Sequence, residues 1–273
     1  MNGSSLRPQG GGDTGSSPPD VAPEVLLELR RIDKNFGPVQ ALVGVDLQLP
    51  KGQVTALVGD NGAGKTALIK TVSGIWPPDG GQILWQGRSV QMHSPKEAAS
   101  LGITTVYQDL ALCDNLDIVQ NMFLGHEPLS RGMLDEVTME ITARRTLDSL
   151  AVTTVRSIRQ PVASLSGGQR QTVAVARAVM AKSKLVILDE PTAALGVSQT
   201  AMVLDLVRRL AEQAVTVLMV SHNLNDVFAV ADRLCVLHLG RAVATGPASD
   251  FDRQLAVEYM TTGRSERAAV GKS

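Results

Sequence analysis

The sequence predicts an α/β fold with a largely parallel central sheet, antiparallel strands ahead of it and a helical insertion within it. Three observations carry that prediction. Four short, near-continuous apolar runs occur, at 54–58, 103–107, 185–188 and 215–220. Runs of this length suit strands buried on both faces of a sheet. Helical periodicity lies between them: Val173, Ala176, Val179 and Met180 share a face in 169–182, and a second helical pattern spans 199–213. Each run ends at polar or glycine-rich residues, and ligands of open α/β sheets bind outside the carboxyl ends of the strands.

Taken in order, residues 1–23 are dominated by Gly, Ser and Pro and hold little that can be buried, so a disordered tail is expected. The folded body is expected over 24–263. It opens with VLLELRRIDKNFG and GVDLQLPKG, where alternation such as Val45, Leu47 and Leu49 reads as antiparallel strands against the edge of the sheet. The run at 54–58 leads into GDNGAGKT. The interval 95–179 holds extra helices between two sheet strands and is expected to form a helical subdomain. The later runs end at Asp189 and Glu190, and at Ser221 and His222. Residues 264–273 read as a flexible tail, and no internal repeat is present.

Apolar residues make up 44% and charged residues 19%, which suits a globular chain of 273 residues with a sizeable core. The net charge of −1, from 26 basic and 27 acidic residues, argues against a protein that coats nucleic acid, so no nucleic-acid partner is expected. Cys113 and Cys235 lack metal-ligand spacing and read as free thiols of a reducing compartment. No apolar run approaches the ~18 residues of a membrane span, and the N-terminus lacks the apolar core of a signal peptide. A cytoplasmic protein is expected, with any membrane role exercised through a partner.

The stretch GDNGAGKT matches G-x-x-x-x-G-K-[ST], a phosphate-binding loop, and predicts a P-loop NTPase core. Gly59, Asp60, Asn61, Gly62, Ala63 and Gly64 can turn successive backbone N–H groups into one concavity. Lys65 can reach the outer phosphates, the Thr66 hydroxyl can hold Mg²⁺, and a helix starting there adds its positive end. A second motif, LSGGQ, ends at Gln169. Ser166 is a candidate helix cap, and Gly167 and Gly168 leave N–H groups uncovered, which makes a second anion site. One nucleotide does not need two such sites, but a nucleotide bound to another copy of the chain would use the second. In LVILDEPT, Asp189 can hold the Mg²⁺ shell and Glu190 can polarise the attacking water. His222 can touch the terminal phosphate and orient Glu190. Gln108 can sense metal and water. Phe36, before a Gly-Pro turn, can stack on adenine or pack in the core.

Phosphate loop, Gln108, LSGGQ, LVILDE and His222, in that order, resemble the ATP-binding-cassette ATPases over residues 24–263. The resemblance implies a head-to-tail dimer with two ATP molecules between the subunits. Each would touch Gly59–Thr66 of one copy and Ser166–Gln169 of the other. It also implies that Lys65 grips the phosphates, that Thr66, Gln108 and Asp189 serve Mg²⁺, and that Glu190 is the general base and His222 the switch. One departure stands out: Gly196 occupies a place where the family commonly has Asp. The stretches EPTAALGVSQT, YQDLALCDNLDIVQNMFLGHE and SHNLNDVFAVADRLCVLHLGR are similar to the cassettes of bacterial monosaccharide importers. That resemblance implies membrane permease subunits, an extracytoplasmic sugar-binding protein reached through them, and a place on the inner face of the cell membrane. It also singles out 109–127 for permease docking, with Leu110, Leu112, Leu116, Ile118, Met122, Phe123 and Leu124 as its apolar residues. The alternative is a non-transport cassette protein acting on nucleic acid or ribosomes.

Overall fold

The structure, a computed structural model, describes residues 24–152 and 154–264; the tails expected at 1–23 and, past Arg264, at 265–273 lie outside the described residues. The chain opens with strands β1 (Val25–Phe36) and β2 (Val39–Pro50), paired antiparallel. Strand β3 (Val54–Val58) feeds helix α1 (Lys65–Val72), followed by β4 (Gly80–Trp85), β5 (Arg88–Val90), α2 (Pro95–Leu101) and β6 (Ile103–Val106). Then come α3 (Ile118–Phe123), a small hairpin of β7 (Leu129–Ser130) and β8 (Met133–Leu134), α4 (Glu136–Ser149) and α5 (Gly167–Met180). The chain returns to the sheet as β9 (Leu185–Asp189), crosses by α6 (Val197–Glu212) to β10 (Thr216–Val220), and by α7 (Leu224–Val230) to β11 (Arg233–His238). Strand β12 (Arg241–Pro247) and helix α8 (Arg253–Thr262) close it.

The central sheet has the order β12-β11-β3-β10-β9-β6, parallel throughout except for the antiparallel edge strand β12. Strands β3, β9 and β10 are almost wholly apolar, with threonine the only polar residue before their carboxyl ends, because both faces are covered. Val54, Ala56 and Val58 enter the core shared with α3–α7, while Leu57 enters the core shared with α1 and the antiparallel strands. The same alternation splits Val186 and Leu188 from Leu185 and Ile187, and Val217 and Met219 from Leu218 and Val220.

Strands β1 and β2 make the antiparallel N-terminal subdomain that the sequence predicts, but they stack on a face of the central layer and do not lie against the sheet's edge. They form a separate antiparallel sheet of order β2-β1-β4-β5. Its apolar face, with Leu27, Leu29, Ile32 and Leu47, is buried on the core that also holds Leu68 and Ile69 of α1. A long strand with one apolar face buries it by stacking on a layer, and edge pairing alone would leave that face in water. Helix α5 does not bury a single stripe either: Gln171 to Ala176 and Ala178 are buried, while Val179 and Met180 are only partly so. It lies against α3, α4, α6 and β6, and its run of small residues lets neighbours approach on several sides.

The interval 95–179 is not purely helical, since β6 within it is a strand of the central sheet. Beyond β6, Asn121 is fully buried; its Oδ1 accepts from Cys113 N–H, and its amide donates to the carbonyls of Cys113, Leu116 and Asp117. Arg159 reaches Asp117 at 3.1 Å, Glu136 at 2.8 Å and Glu140 at 2.6 Å, tying α3 to α4. Ile118, Met122 and Phe123 are core residues, so they are not free to form a docking surface. Leu110, Leu112, Leu116 and Leu124 remain partly exposed. Among the described residues, no helix is long and apolar enough to cross a membrane.

Candidate nucleotide site

The carboxyl ends of β3, β6, β9 and β10 lie along one edge of the sheet and deliver the predicted polar residues to it. Glycine is required at two points of the loop after β3. A Cβ on Gly59 would lie 2.4 Å from the Leu237 carbonyl oxygen, and one on Gly64, at φ 105°, would lie 2.7 Å from that of Ala41. The loop can therefore fold this tightly only without those side chains. Gly64 caps α1 with no side-chain bond, which leaves the first-turn amides for an anion. Lys65 Nζ donates to the carbonyl oxygens of Gly59 (2.6 Å) and Asp60 (3.0 Å), across the mouth of its own loop.

A cavity of about 450 Å³ opens at this edge. Asn61, Gly62, Gly64, Lys65 and Thr66 line one side; Gln108, Asp189, Glu190 and His222 line the other, with Ala193 added by the structure. Asp189 is raised above the ordinary carboxylate range by burial first and by neighbouring Glu190 second, while Lys65 and Lys70 pull it back. A half-buried carboxylate beside another carboxylate is a place for a cation. Glu190 has a left-handed backbone, φ 50°, and its N–H donates to the Val220 carbonyl at 2.9 Å. His222 Nδ1–H donates to Glu190 Oε2 at 2.9 Å. The His222 side chain is 67% exposed and that of Glu190 is 16% exposed, so the ring shields the carboxylate while remaining open to an incoming molecule.

The residues fit Mg²⁺ bound with a nucleotide. The Thr66 hydroxyl, Gln108 amide oxygen and Asp189 carboxylate are hard oxygen donors, and phosphates supply the rest of such a metal's shell. The tight glycine loop is itself the cradle that a Cβ at Gly59 or Gly64 would fill.

Not every predicted residue meets this cavity. Phe36 lies off its lining; the residue is 40% exposed, and its ring packs edge-on against Trp76 with centroids 4.6 Å apart. It is therefore neither a core residue nor a lone ring. Ser166 to Gln169 also lie off the lining. They form a reciprocal cap: Ser166 Oγ accepts from Gln169 N–H, and Gln169 Oε1 accepts from Ser166 N–H at 2.9 Å. Gly168 is buried, and a Cβ there would lie 3.0 Å from Gln199 Cβ, so α5 packs closely on the start of α6 at this glycine. Ser166 and Gly167 are exposed.

The sequence profile of the ABC transporter family matches residues 42–193. The chain is 44% identical over 248 residues to the fructose import ATP-binding protein FrcA of Rhizobium meliloti, a match spanning 88% of this chain and 95% of that protein. It is also 44% identical over 247 residues to the xylose/arabinose import ATP-binding protein XylG of Sulfolobus acidocaldarius, spanning 90% of this chain and 98% of that one. Among solved structures, cbiO1 of Clostridium perfringens, part of the ABC transporter complex cbiONQ, superposes with a TM-score of 0.73 at 26% identity, covering 90% of this chain and 98% of that chain. Loop, sheet edge and relatives agree: the chain belongs to the ABC transporter family, as one of its ATPase cassettes.

Proposed function

We propose that this chain hydrolyses ATP to energise import of a simple sugar, working beneath membrane permease subunits and paired with a second cassette. The observation that carries the hydrolytic part is the His222–Glu190 hydrogen bond of 2.9 Å on the same cavity as Lys65 and Thr66. The sugar part is supported by nearly full-length likeness to FrcA and XylG, whose names print fructose, xylose and arabinose import.

The loop amides and the first turn of α1 bind the phosphates, and Lys65 exchanges its carbonyl partners for phosphate oxygens. Thr66, Gln108 and Asp189 would hold Mg²⁺, which when bound spreads the charge of the outer phosphates. Glu190 accepts a hydrogen bond from the attacking water and receives its proton as the bond from water oxygen to phosphorus forms and the bond to the leaving ADP oxygen breaks. His222 fixes the Glu190 carboxylate and reaches the terminal phosphate. The helices between β6 and β9 act as an arm that offers Ser166 and Gly167 to the nucleotide of the second copy. Ser166–Gln169 do not line the cavity of their own chain, which supports that pairing. An extracytoplasmic sugar-binding protein would supply the cargo through the permease, and the cassette would lie on the inner face of the membrane.

The test is transport in proteoliposomes carrying the assembled complex with entrapped ATP. Uptake of a pentose or hexose that stops in the Glu190→Gln complex supports the reading. Hydrolysis that proceeds with no sugar moved, for any simple sugar tried with its binding protein, overturns the import part.

A further inference from the structure

A second side-chain tie joins the same two loops. Thr192 Oγ1 donates to Asp226 Oδ2 at 2.6 Å. Thr192 lies two residues beyond Glu190, and Asp226 sits in the first turn of α7, just past His222, with 6% of its surface exposed. A hydroxyl bonded at that length to a buried carboxylate is a strong, charge-assisted contact. Neither residue lines the nucleotide cavity.

The two ties close a ring. From Glu190 the chain runs through Pro191 to Thr192, crosses to Asp226, returns along the chain to His222, and crosses back to Glu190. Beside the ring, the Glu190 N–H donates to the Val220 carbonyl at 2.9 Å. Glu190 itself has φ 50°, a conformation strained for a residue with a Cβ that persists only where its surroundings hold it. The His222 bond holds the carboxylate from the solvent side. The Thr192–Asp226 bond holds the backbone from the buried side.

We propose that Thr192 and Asp226 are positioning residues for hydrolysis. Their hydrogen bond fixes the loop bearing Glu190 against the loop bearing His222, and so sets where the Glu190 carboxylate meets the attacking water. The inference rests on the hydrolytic role of Glu190 proposed above. It assigns work to a buried charge that otherwise has only a structural use.

A structural role and a positioning role give different readouts. Thr192→Val keeps the shape of the side chain and removes the donor; Thr192→Ser keeps the donor. ATP turnover of the purified full chain is measured against ATP concentration, alongside ATP binding and Tm. Thr192→Val is expected to lower kcat about tenfold or more with KM and nucleotide affinity within about twofold, since small misplacements of a reacting group are expensive. Thr192→Ser is expected to restore kcat to within about threefold of the parent. A Thr192→Val protein with the parent kcat and only a lower Tm overturns the proposal. Should that variant not fold, Asp226→Ala decides: it removes the acceptor, and an unchanged kcat again overturns the proposal. Glu190→Gln serves as the separate control. If it still hydrolyses ATP, the role of Glu190 falls; if it is inactive while Thr192→Val is normal, only the positioning role falls.

Discussion

Asp114 Oδ1 lies 3.0 Å from Arg170 Nη1, joining the segment that follows Gln108 to the helix that carries LSGGQ. The same guanidinium donates to the Leu165 and Ala163 carbonyls at 3.4 and 3.3 Å, and Ala163 N–H donates to the Asp114 carbonyl beside it at 3.1 Å. The Asp114 side chain is 64% exposed, so its ion pair is screened by solvent. Asp114→Ala is expected to cost less than about 1 kcal/mol. Arg170→Ala, which also strips the two carbonyls of their partner, is expected to cost about 1–3 kcal/mol. Urea unfolding of the two variants checks the order.

Hydrolysis and binding separate at Glu190 and Lys65. Glu190→Gln leaves the loop and the oxygen donors in place, so it is expected to bind MgATP while losing about 10²–10⁴-fold in turnover. Lys65→Ala removes a phosphate contact and is expected to weaken both binding and turnover. Nucleotide-binding titrations beside steady-state assays distinguish the two. Near-parental turnover in Glu190→Gln removes Glu190 from its role.

Pairing is testable at Ser166. Ser166 is exposed and off the cavity of its own chain, so Ser166→Arg is expected to cost only about 1 kcal/mol through the lost cap of α5 while abolishing turnover through the partner's site. Light scattering of the Glu190→Gln protein is expected to report dimers only with ATP. Full activity in a chain that stays monomeric at every concentration contradicts shared sites.

The two thiols differ in reach. Cys235 is fully buried on β11, and burial pushes its thiol up to about 12, whereas Cys113 is partly exposed. One equivalent of a thiol reagent is expected to react with the native chain, and two after unfolding. The sign for stability follows from the raised value: the neutral thiol is favoured in the folded state, so its contribution is whole below the ordinary 9.0 and is lost as pH rises through about 12. Cys235→Ala is therefore expected to show a shallower loss of stability above pH 9 in alkaline unfolding.

Gly196 caps α6 with an extended backbone, φ −73° and ψ 163°, and no side-chain bond, and nothing lies within 4 Å of a Cβ built there. Any residue can adopt that conformation. Gly196→Asp is expected to stabilise the fold by a few tenths of a kcal/mol, because its carboxylate can accept from the first-turn amides. A rise in Tm measures it. An accompanying change in turnover would report on the departure noted at this position.

The strands are legible where both faces are covered, since Val54–Val58 and Thr216–Val220 then carry no polar residue but a threonine each. The run Leu234–Leu237 on β11 carries the same signal, whereas half-exposed β12 offers almost none. Alternation in β1 and β2 tells which side is buried and that the strands pair antiparallel, but not that the sheet they form stacks on the central layer. Site residues that end strands could be placed from sequence because the sheet fixes where they point. The pairs Thr192–Asp226 and Phe36–Trp76 could not, because each depends on elements brought together only by the finished fold.

The order of the central sheet also has a bearing on synthesis. Strand β3, which ends in the phosphate loop, is flanked on both sides by strands encoded much later: Val54 pairs with Val217, and Val58 with Val236. A chain emerging from the ribosome exposes the loop's supporting strand early and must wait for β10 and β11 before that strand has a neighbour. Pairing over such separations is slow and leaves apolar segments open in the interval. A nascent chain halted before residue 216 therefore lacks both sheet neighbours of the strand that ends in the phosphate loop.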